Sequence, residues 1–329
     1  MSHLNGVDGI ETYIYDATKD EKTDWMEVAE KYDAIYFNYT ANPWGFATMG
    51  AFARARGKKL ILDLDDSLWN VMPDNPAYKV YQKGSQTLTD FTAICNEVDY
   101  VTTTNDYLKH VIMDHTNKGF NQIKIFPNYI NLSLWNHIPP FKNDNQITLS
   151  HFGSTTHFID LLEPQFEMGM DKIMKEYPNV KFQTVGSFFA KYRHKWGQRY
   201  EQAWGDSDIY KWIKDKMPPF MENIDIVVVP LAENVYTRCK SSIKFLEASS
   251  YKKPGVWQDI RQYREVVDGT NGFLASKAKH WYRAIKRLID DVELRRKMGE
   301  EAFKTVESDW QMKDNVQQYA DFFHEALDK

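Results

Sequence analysis

The chain has 329 residues, a formal net charge of −5 and 43% hydrophobic residues. This length suits two α/β domains better than one, and the apolar content excludes a globally disordered chain. Cys95 and Cys239 are the only cysteines, which excludes a disulfide framework or a Cys-rich zinc site and suits a reducing compartment. The charge balance carries no global signature of nucleic-acid binding.

The first residues have neither the basic region nor the apolar region of a signal peptide. No apolar run approaches the roughly 20 residues that span a bilayer. We therefore expect a cytoplasmic protein, with peripheral membrane contact as the alternative. That alternative rests on the basic amphipathic segment "KAKHWYRAIKRLI" (277–289), whose pattern core packing of one face would explain equally well.

Short apolar runs alternate with helical patterns along the first 140 residues. Strands are predicted at 12–16, 34–38, 59–64, 100–104 and 123–128, and helices at 23–31, 46–56, 77–96 and 105–115. This alternation is typical of a parallel sheet with helices on its faces. The run "NHIPPFKNDNQ" (136–146) has paired prolines and no periodicity, so it is predicted to link two domains.

The alternation restarts after this linker. Strands are predicted at 147–153, 180–186, 224–231, 253–258 and 272–275, and helices at 161–176, 208–217, 241–251, 279–290, 292–307 and 311–327. The basic and aromatic run 187–204 is predicted to be a surface helix with an apolar stripe, or else a site for an anionic acceptor.

We therefore predict an α/β protein with two Rossmann-like domains that face each other across a cleft, at 1–140 and 147–310. A helix at 311–329 is expected to follow and to pack back on the N-terminal domain. In open sheets of this kind, ligands bind beyond the carboxyl ends of the strands. The cleft is therefore where functional residues are expected.

The stretch "LILDLDDSLWN" (60–70) ends a predicted strand in three acids, Asp63, Asp65 and Asp66. Asp63 and Asp65 could be the nucleophile and general acid of a haloacid-dehalogenase-type phosphatase. Asp-x-Asp is also the metal-binding motif of GT-A glycosyltransferases, and the stretch could equally be the polar end of a buried strand. The phosphatase needs a later acidic motif after an apolar strand, and the closest string, 204–210, lacks that context.

The segment 225–257 carries the strongest pattern. Its buried strand ends at Pro230, and Ser241 is predicted to cap the helix that follows. Lys240, Lys244 and Glu247 share one face of that helix. The free N–H groups of a helix start and two lysines would bind a diphosphate, and a carboxylate on the order of 9 Å further along could reach a ribose. The alternative is a solvated face of an amphipathic helix.

This segment, with its Ser-x-x-Lys-x-x-Glu, resembles the donor-binding signature of GT-B glycosyltransferases, specifically the retaining family 4 (group 1) type. Similar matches occur in "HFGSTTHFIDL" (151–161), "YREVVDGTNGFLA" (263–275) and "HWYRAIKRLIDDVELRRKMGEEAF" (280–303), and looser ones in 60–70 and "FPNYINLSLWN" (126–136). A second Rossmann-like unit of this type argues against the GT-A interpretation.

The resemblance implies a nucleotide-diphosphate-sugar donor (a UDP-, GDP- or ADP-sugar), with no tightly bound cofactor and no required metal. It implies that the diphosphate faces Lys240, Ser241, Ser242 and Lys244 and that the ribose faces Glu247. The turn of Gly153, Ser154 and Thr155 would approach the phosphates from the other side, and His157 would be either a donor contact or a structural residue.

The acceptor side is expected at the strand ends of the N-terminal domain. Asp65 and Asp66 are candidate catalytic residues that would position the acceptor or the donor sugar, or else structural acids. Asn42 and Trp44 lie in the loop after the preceding strand, where Trp44 could stack on a sugar or pack within its loop. The acceptor itself could be a glycan, a lipid-linked glycan, a protein or a modified nucleobase.

The chain departs from the family pattern in two places. Cys239 stands where the family usually has the first of two glutamates, and it would be either a thiol of lowered pKa or a small filler. The N-terminal domain is also short. We predict a hexosyl- or pentosyltransferase, with the phosphatase and a non-catalytic nucleotide-sugar-binding relic as alternatives.

Overall fold

The computed structural model describes residues 3–15, 24–38, 42–134, 138–141, 145–153, 159–186, 188–203 and 211–327. Two parallel sheets organise these residues. The strands are β1 Ala34–Asn38, β2 Lys59–Leu64, β3 Tyr100–Thr103, β4 Ile123–Ile125, β5 Ile147–Phe152, β6 Val180–Val185, β7 Tyr200–Ala203, β8 Ile226–Val229, β9 Gly255–Gln258 and β10 Phe273–Ala275.

The described helices surround the two sheets. They are α1 Trp25–Ala29, α2 Pro43–Arg56, α3 Tyr78–Tyr81, α4 Gln86–Glu97, α5 Asp106–His115, α6 Pro164–Glu176, α7 Ala190–Trp196, α8 Met217–Glu222, α9 Val235–Arg238, α10 Ile243–Ser250, α11 Ala278–Asp290, α12 Val292–Asp309, α13 Met312–Asn315 and α14 Gln317–Ala326. A π-helical turn, Trp212–Lys216, runs directly into α8.

The N-terminal sheet has the order β1-β2-β3-β4, which is also the order of the strands in the sequence. Because parallel crossovers are right-handed, steps that all run in one direction put every connecting helix on the same face. Leu60, Leu62 and Leu64 of β2 pack on that helical face. The opposite face, which includes Ile61, would be exposed to water unless another part of the chain packed against it.

The C-terminal helix α14 covers this second face. Ala320, Phe322 and Phe323 of α14 form a buried cluster with Ile61 and Phe126. After α12 the chain returns from the C-terminal domain to the N-terminal domain. On the way it runs beside the segment that follows β4. There the N–H of Ile130 donates to the carbonyl of Trp310 at 2.8 Å, so this backbone contact joins the two domains.

The C-terminal sheet has the order β10-β9-β8-β5-β6-β7. The order reverses between β5 and β8, so helices cover both faces and two separate cores form. Every residue of β8 is buried, as its run of β-branched side chains predicts. The reversal places the loops after β5 and β8 side by side, where doubly wound sheets bind their ligands.

The predicted strand at 12–16 is wrong. Residues 12–15 belong to no sheet among the described residues, and Tyr13 and Ile14 are 47% and 61% exposed. Strand propensity is realised only where a partner edge is available. The N–H of Thr12 instead donates to the side chain of Asn5 at 2.8 Å.

The predicted surface helix at 187–204 is also wrong. The structure has the short helix α7 there, followed by the edge strand β7, and the chain turns between them at Gly197 with a φ of 61°. Tyr192, Trp196 and Tyr200 are buried in the core with Phe182. These three rings therefore pack inward, whereas Phe188 of the same stretch is 50% exposed.

The apolar face of the basic helix α11 is covered. Trp281, Ile285 and Leu288 are buried in the core, and the ring of Trp281 packs edge-on against Phe166 of α6. The segment therefore has no free apolar face to insert into a membrane. Among the described residues, no helix has the length and apolar character needed to cross a bilayer.

We expect Gly299→Ala to destabilise the fold, because a Cβ at this position of α12 would lie 2.0 Å from the carbonyl oxygen of Lys252. Lys252 follows α10 and already has a φ of 55°, so its backbone has little room to move. Overpacking of this kind costs about 1–3 kcal/mol. The measurement is the shift in Tm followed by circular dichroism.

Gly50→Ala in α2 is the matched control. Its Cβ would approach only the guanidinium of Arg54, at 3.3 Å, and that side chain is exposed and can move. Better helix propensity should leave the Tm unchanged or raise it by the equivalent of up to ~1 kcal/mol. A Gly299→Ala protein as stable as the unaltered chain would contradict the close packing of α10 on α12.

Candidate functional site

The loop after β8 and the start of α10 form the centre of the candidate site. The helix begins at Ile243 with Ser242 as its N-cap, and Ser242 makes no capping hydrogen bond. The prediction that Ser241 caps the helix is therefore wrong by one residue. The hydroxyl of Ser241 instead accepts a hydrogen bond at 2.8 Å from Asn128 of the N-terminal domain.

Lys240 and Asp66 form an ion pair between the two domains. The Nζ of Lys240 lies 3.0 Å from Oδ1 and 3.2 Å from Oδ2 of Asp66, and the hydroxyl of Tyr236 donates to Oδ2 at 3.3 Å. Burial disfavours the charged amine, but Asp66, Tyr236 and Asp160 together hold the pKa of Lys240 above its usual range. Lys240 thus stays protonated beside Asp66.

Asp65 and Asp66 lie together at the end of β2. Asp65 is exposed, unlike its half-buried neighbour. Partial removal of water from its carboxyl group, followed by the negative charges of Asp66 and Asp63, raises the pKa of Asp65 to about 6. Asp65 can therefore exchange a proton near neutral pH, while Asp66 is held by Lys240.

Asp63 points into a different environment. Its Oδ1 accepts a hydrogen bond from Thr102 at 2.5 Å, and Tyr36 and Tyr319 lie beside it. Burial raises the pKa of Asp63. Asp63 therefore belongs to the polar contact between β2, β3 and α14. The described residues contain no cluster of three or more His, Cys, Asp or Glu side chains suited to a metal ion.

Lys244 and Glu247 lie on α10 in buried surroundings. Lys244 is only 8% exposed. Burial, together with the positive charge of Lys240, lowers the pKa of Lys244. Burial raises the pKa of Glu247, and Lys244 partly offsets this rise. The positive charge of Lys240 thus weakens the hold of Lys244 on its proton, and an anionic ligand would strengthen that hold.

Asp160 is a member of this charge cluster that the sequence analysis missed. It is 1% exposed, and its Oδ1 accepts a hydrogen bond from the N–H of Ala232 at 3.2 Å. Burial raises the pKa of Asp160 to about 6, although Ala232, Lys240 and Lys244 oppose the rise. The sequence feature that could have identified Asp160 is its position as the only acid in the motif 151–161.

The glycine turn after β5 is only partly described. Gly153 directly follows the strand, whereas Ser154, Thr155 and His157 lie outside the described residues. His151, two residues before Gly153, is buried with Nδ1 3.1 Å from the carbonyl oxygen of Val228. Burial and then the charge of Lys244 lower the pKa of His151 to about 3. His151 is therefore a neutral structural residue beneath the lysines.

The two acceptor-side candidates near β1 have different surroundings. Asn42 caps α2, where its Oδ1 accepts a hydrogen bond from the N–H of Gly45 at 3.2 Å. Trp44 is 84% exposed, so the alternative that it packs within its loop is wrong. An indole left this exposed is available to stack on a ligand.

Cys239 is completely buried in the core of the N-terminal domain, beside Leu64 and Leu68. Burial raises the pKa of its thiol to about 12, so the alternative of a reactive thiol is wrong. Its carbonyl oxygen accepts a hydrogen bond from Asn105 at 2.7 Å. A glutamate here would place a charge in apolar packing, so Cys239 fills the domain interface.

A pocket lies beside the start of α10, between the domains. Its cavity volume is about 40 Å³. The loops after β3 and β4 form one wall, with Asn105 and Asn128. The loops after β8 and β9 form the other wall, with Lys240, Ser241 and Glu265. The pocket therefore adjoins the Lys240–Asp66 pair on the side of β9.

We expect Asp160→Asn to stabilise the fold at pH 7.5. The pKa of Asp160 is raised from 3.8 to about 6, so the unfolded chain ionises first as the pH rises. The folded state therefore loses stability between about pH 4 and pH 6, by roughly 1–3 kcal/mol. Asparagine removes this cost and still accepts the hydrogen bond from Ala232.

Urea unfolding at pH 4 and pH 7.5 tests this expectation. The stabilisation by Asp160→Asn should be present at pH 7.5 and should shrink at pH 4. Asp215→Asn changes an exposed carboxylate and should show no such difference between the two pH values. An Asp160→Asn protein that is less stable than the unaltered chain at pH 7.5 would contradict the burial argument.

Solved structures of several proteins resemble most of the chain, among them the following three. TarM of S. aureus has a TM-score of 0.65 at 15% identity, and the match covers 91% of this chain but only 57% of TarM. HepE of Anabaena, solved with UDP-glucose, has a TM-score of 0.63 at 15% identity over 91% of this chain and 80% of its own. Sucrose-phosphate synthase of Thermosynechococcus elongatus has a TM-score of 0.63 at 16% identity over 96% and 81%.

The match found by sequence comparison covers a shorter part of the chain than these structural matches. Residues 166–291 match the family described as Glycosyl transferases group 1, and no curated protein sequence matches the chain. The matched residues include the loop after β8 and α10. The chain therefore has the GT-B fold of two facing Rossmann-like domains, and residues 166–291 of its C-terminal domain are similar to the group 1 glycosyl transferases.

Proposed function

We propose that the chain is a glycosyltransferase that moves a sugar from a nucleotide-diphosphate-sugar to an acceptor. The observation that carries this proposal is the pair of half-buried and buried lysines, Lys240 and Lys244, at the start of α10. They face a carboxylate of the opposite domain across the cleft, so a donor and an acceptor could meet there. The match to group 1 glycosyl transferases supports the same function.

The lysines would stabilise the leaving diphosphate. The first N–H groups of α10 have no carbonyl partner within the helix and carry the positive end of its dipole. Together with Lys240 and Lys244, they form a prearranged positive site where negative charge develops. Ser241 and Ser242 would add hydroxyl groups at the same place. Because protein cations supply this charge, we propose that the reaction needs no metal ion.

Glu247 would bind the ribose, since it lies one helical turn beyond Lys244 on the same face. Gly153, with the neighbouring Ser154, Thr155 and His157, would close the phosphate site from the side of β5. We propose UDP as the nucleotide, because the similar structures of HepE and TarM contain UDP. The sugar, a hexose or a pentose, would keep its anomeric configuration.

The N-terminal domain, residues 1–140, would hold the acceptor. Asp65 is suited to accept a proton from an acceptor hydroxyl, because its raised pKa brings it near neutral pH. Asp66 would orient Lys240, and Trp44 offers an exposed ring for stacking. Asp63 has its hydrogen bond to Thr102, so we do not retain the phosphatase alternative. The non-catalytic relic would show donor binding without turnover.

We expect Lys244→Met to weaken UDP binding at least tenfold at pH 7.5. Hydrogen bonds to charged groups contribute about 1.5–3 kcal/mol, and methionine keeps most of the buried volume. Isothermal titration calorimetry gives the Kd. Lys297→Met, which changes an exposed lysine of α12, should leave the Kd unchanged.

The pH dependence provides an internal control for this variant. The pKa of Lys244 is lowered to about 8, so its charge is lost as the pH rises above that value. UDP affinity of the unaltered chain should therefore fall between about pH 8 and pH 10, and Lys244→Met should remove that fall. Equal UDP affinity in the two proteins at pH 7.5 would exclude Lys244 from the diphosphate site.

Asp66→Asn should separate binding from turnover. Asp66 competes with the diphosphate for Lys240, so its neutralisation should tighten UDP binding. The same change removes the carboxylate that would orient Lys240 beside the leaving diphosphate, so release of UDP from UDP-glucose should slow about tenfold or more. Calorimetry and a coupled UDP assay measure the two effects. Unchanged turnover would remove Asp66 from the reaction.

A further inference from the structure

The segment that leads into α10 is held by the N-terminal domain. The amide nitrogen of Asn105 donates to the carbonyl oxygen of Cys239 at 2.7 Å and to that of Lys240 at 3.3 Å. The side-chain oxygen of Asn105 accepts a hydrogen bond from the N–H of Leu108 at 2.8 Å. Because this bond fixes the oxygen at the start of α5, the amide nitrogen faces the C-terminal domain. The N-terminal domain therefore sets the position of the residues just before Ser241.

Asn128 extends this contact to Ser241 itself. Its amide nitrogen donates to Oγ of Ser241 at 2.8 Å. Asn128 follows the last residue of β4 by three positions, so it lies at the carboxyl end of the N-terminal sheet, where open sheets bind their ligands. Both residues are half-buried and line the pocket beside α10. Asn128 therefore reaches across the domain boundary to a serine proposed to bind the diphosphate.

This hydrogen bond determines what Ser241 can offer to a ligand. A serine hydroxyl has one hydrogen to donate and two lone pairs that accept. The amide N–H of Asn128 occupies one lone pair, so the hydroxyl hydrogen points in another direction. Ser241 is therefore oriented as a hydrogen-bond donor. A phosphate oxygen is a charged acceptor that such a hydroxyl binds well.

The surroundings of Ser241 favour an anionic acceptor. Lys240 and Ser242 line the same pocket. Ser242 is the N-cap of α10 and makes no capping hydrogen bond, so its side chain does not mask the positive end of the helix dipole. A cavity needs about 10–15 Å³ to hold one water molecule. The pocket, with its volume of about 40 Å³, therefore has room for a phosphate oxygen.

We propose that Asn128 is a positioning residue of the donor site, which holds Ser241 with its hydroxyl hydrogen directed at a phosphate oxygen of the nucleotide. This inference rests on the proposed transfer from a nucleotide-diphosphate-sugar. Asn128 acts through Ser241 and not through a contact of its own with the ligand. The donor site is then built by both domains, because a residue of the N-terminal domain orients a donor of the C-terminal domain.

A double-mutant cycle on the full chain tests the proposal. Isothermal titration calorimetry with UDP at pH 7.5 gives the Kd of the unaltered chain, the two single variants and the double variant. Asn128→Ala should weaken UDP binding about threefold to tenfold. Ser241→Ala should weaken it about tenfold or more, because a hydrogen bond to a charged group is lost. In the Ser241→Ala background, Asn128→Ala should change the Kd by less than about twofold.

Two further measurements separate orientation from general disruption. At pH 7.5, Asn128→Asp keeps the size of the side chain but accepts the serine hydrogen instead of donating, so UDP binding should weaken at least as much as in Asn128→Ala. Asn117→Asp adds the same charge at an exposed position of the N-terminal domain and should leave the Kd unchanged. Uridine has no phosphate, so its affinity should be the same in Asn128→Ala and the unaltered chain.

The outcomes distinguish this inference from the proposed function. UDP binding that Asn128→Ala leaves unchanged, or weakens equally with and without Ser241, would overturn the positioning role while leaving the donor site in place. A parallel loss of uridine affinity would also overturn it, because the domains would then have shifted as a whole. Absence of UDP binding by the unaltered chain would contradict the proposed function together with this inference. Should Asn128→Ala fail to fold by circular dichroism, Asn128→Asp replaces it in the same cycle.

Discussion

The Nζ of Lys240 lies 3.0 Å from Asp66, and this contact joins the end of β2 to the start of α10 across the domain boundary. Lys240 is 11% exposed and Asp66 28%. A single charge this far from water would lose much of its hydration free energy, whereas the attraction between Lys240 and Asp66 offsets part of that loss. The relative position of the two domains therefore decides whether Lys240 serves Asp66 or an anionic ligand.

The residues around this ion pair are buried and ionisable, so a charged ligand would change their protonation. Lys244, Glu247 and Asp160 all have a pKa shifted toward the neutral form by burial. A diphosphate at the start of α10 would favour the charged form of Lys244, so binding energy would come from groups whose charged forms burial disfavours. The domains also meet through the backbone hydrogen bond from Ile130 to Trp310.

Periodicity and local motifs predicted much of this arrangement. The strands at 34–38 and 59–64 were predicted with their observed bounds, because each is a short apolar run between polar turns. The pairing of Asp66 with Lys240 could not be predicted, because no local pattern encodes a contact between residues 174 positions apart. The core position of Cys239 depends on the other domain for the same reason. No strand forms at 12–15 because no partner edge is available there, which local propensity does not reveal.

The central claim is that the start of α10 recognises a diphosphate. Calorimetric titration with uridine, UMP and UDP at pH 7.5 tests it most directly, because the three ligands share the base and the ribose. The account predicts that UDP binds at least tenfold more tightly than UMP, and that uridine binds most weakly. Equal affinities for UDP and UMP would contradict it, because the lysines would then contribute nothing to recognition of the second phosphate.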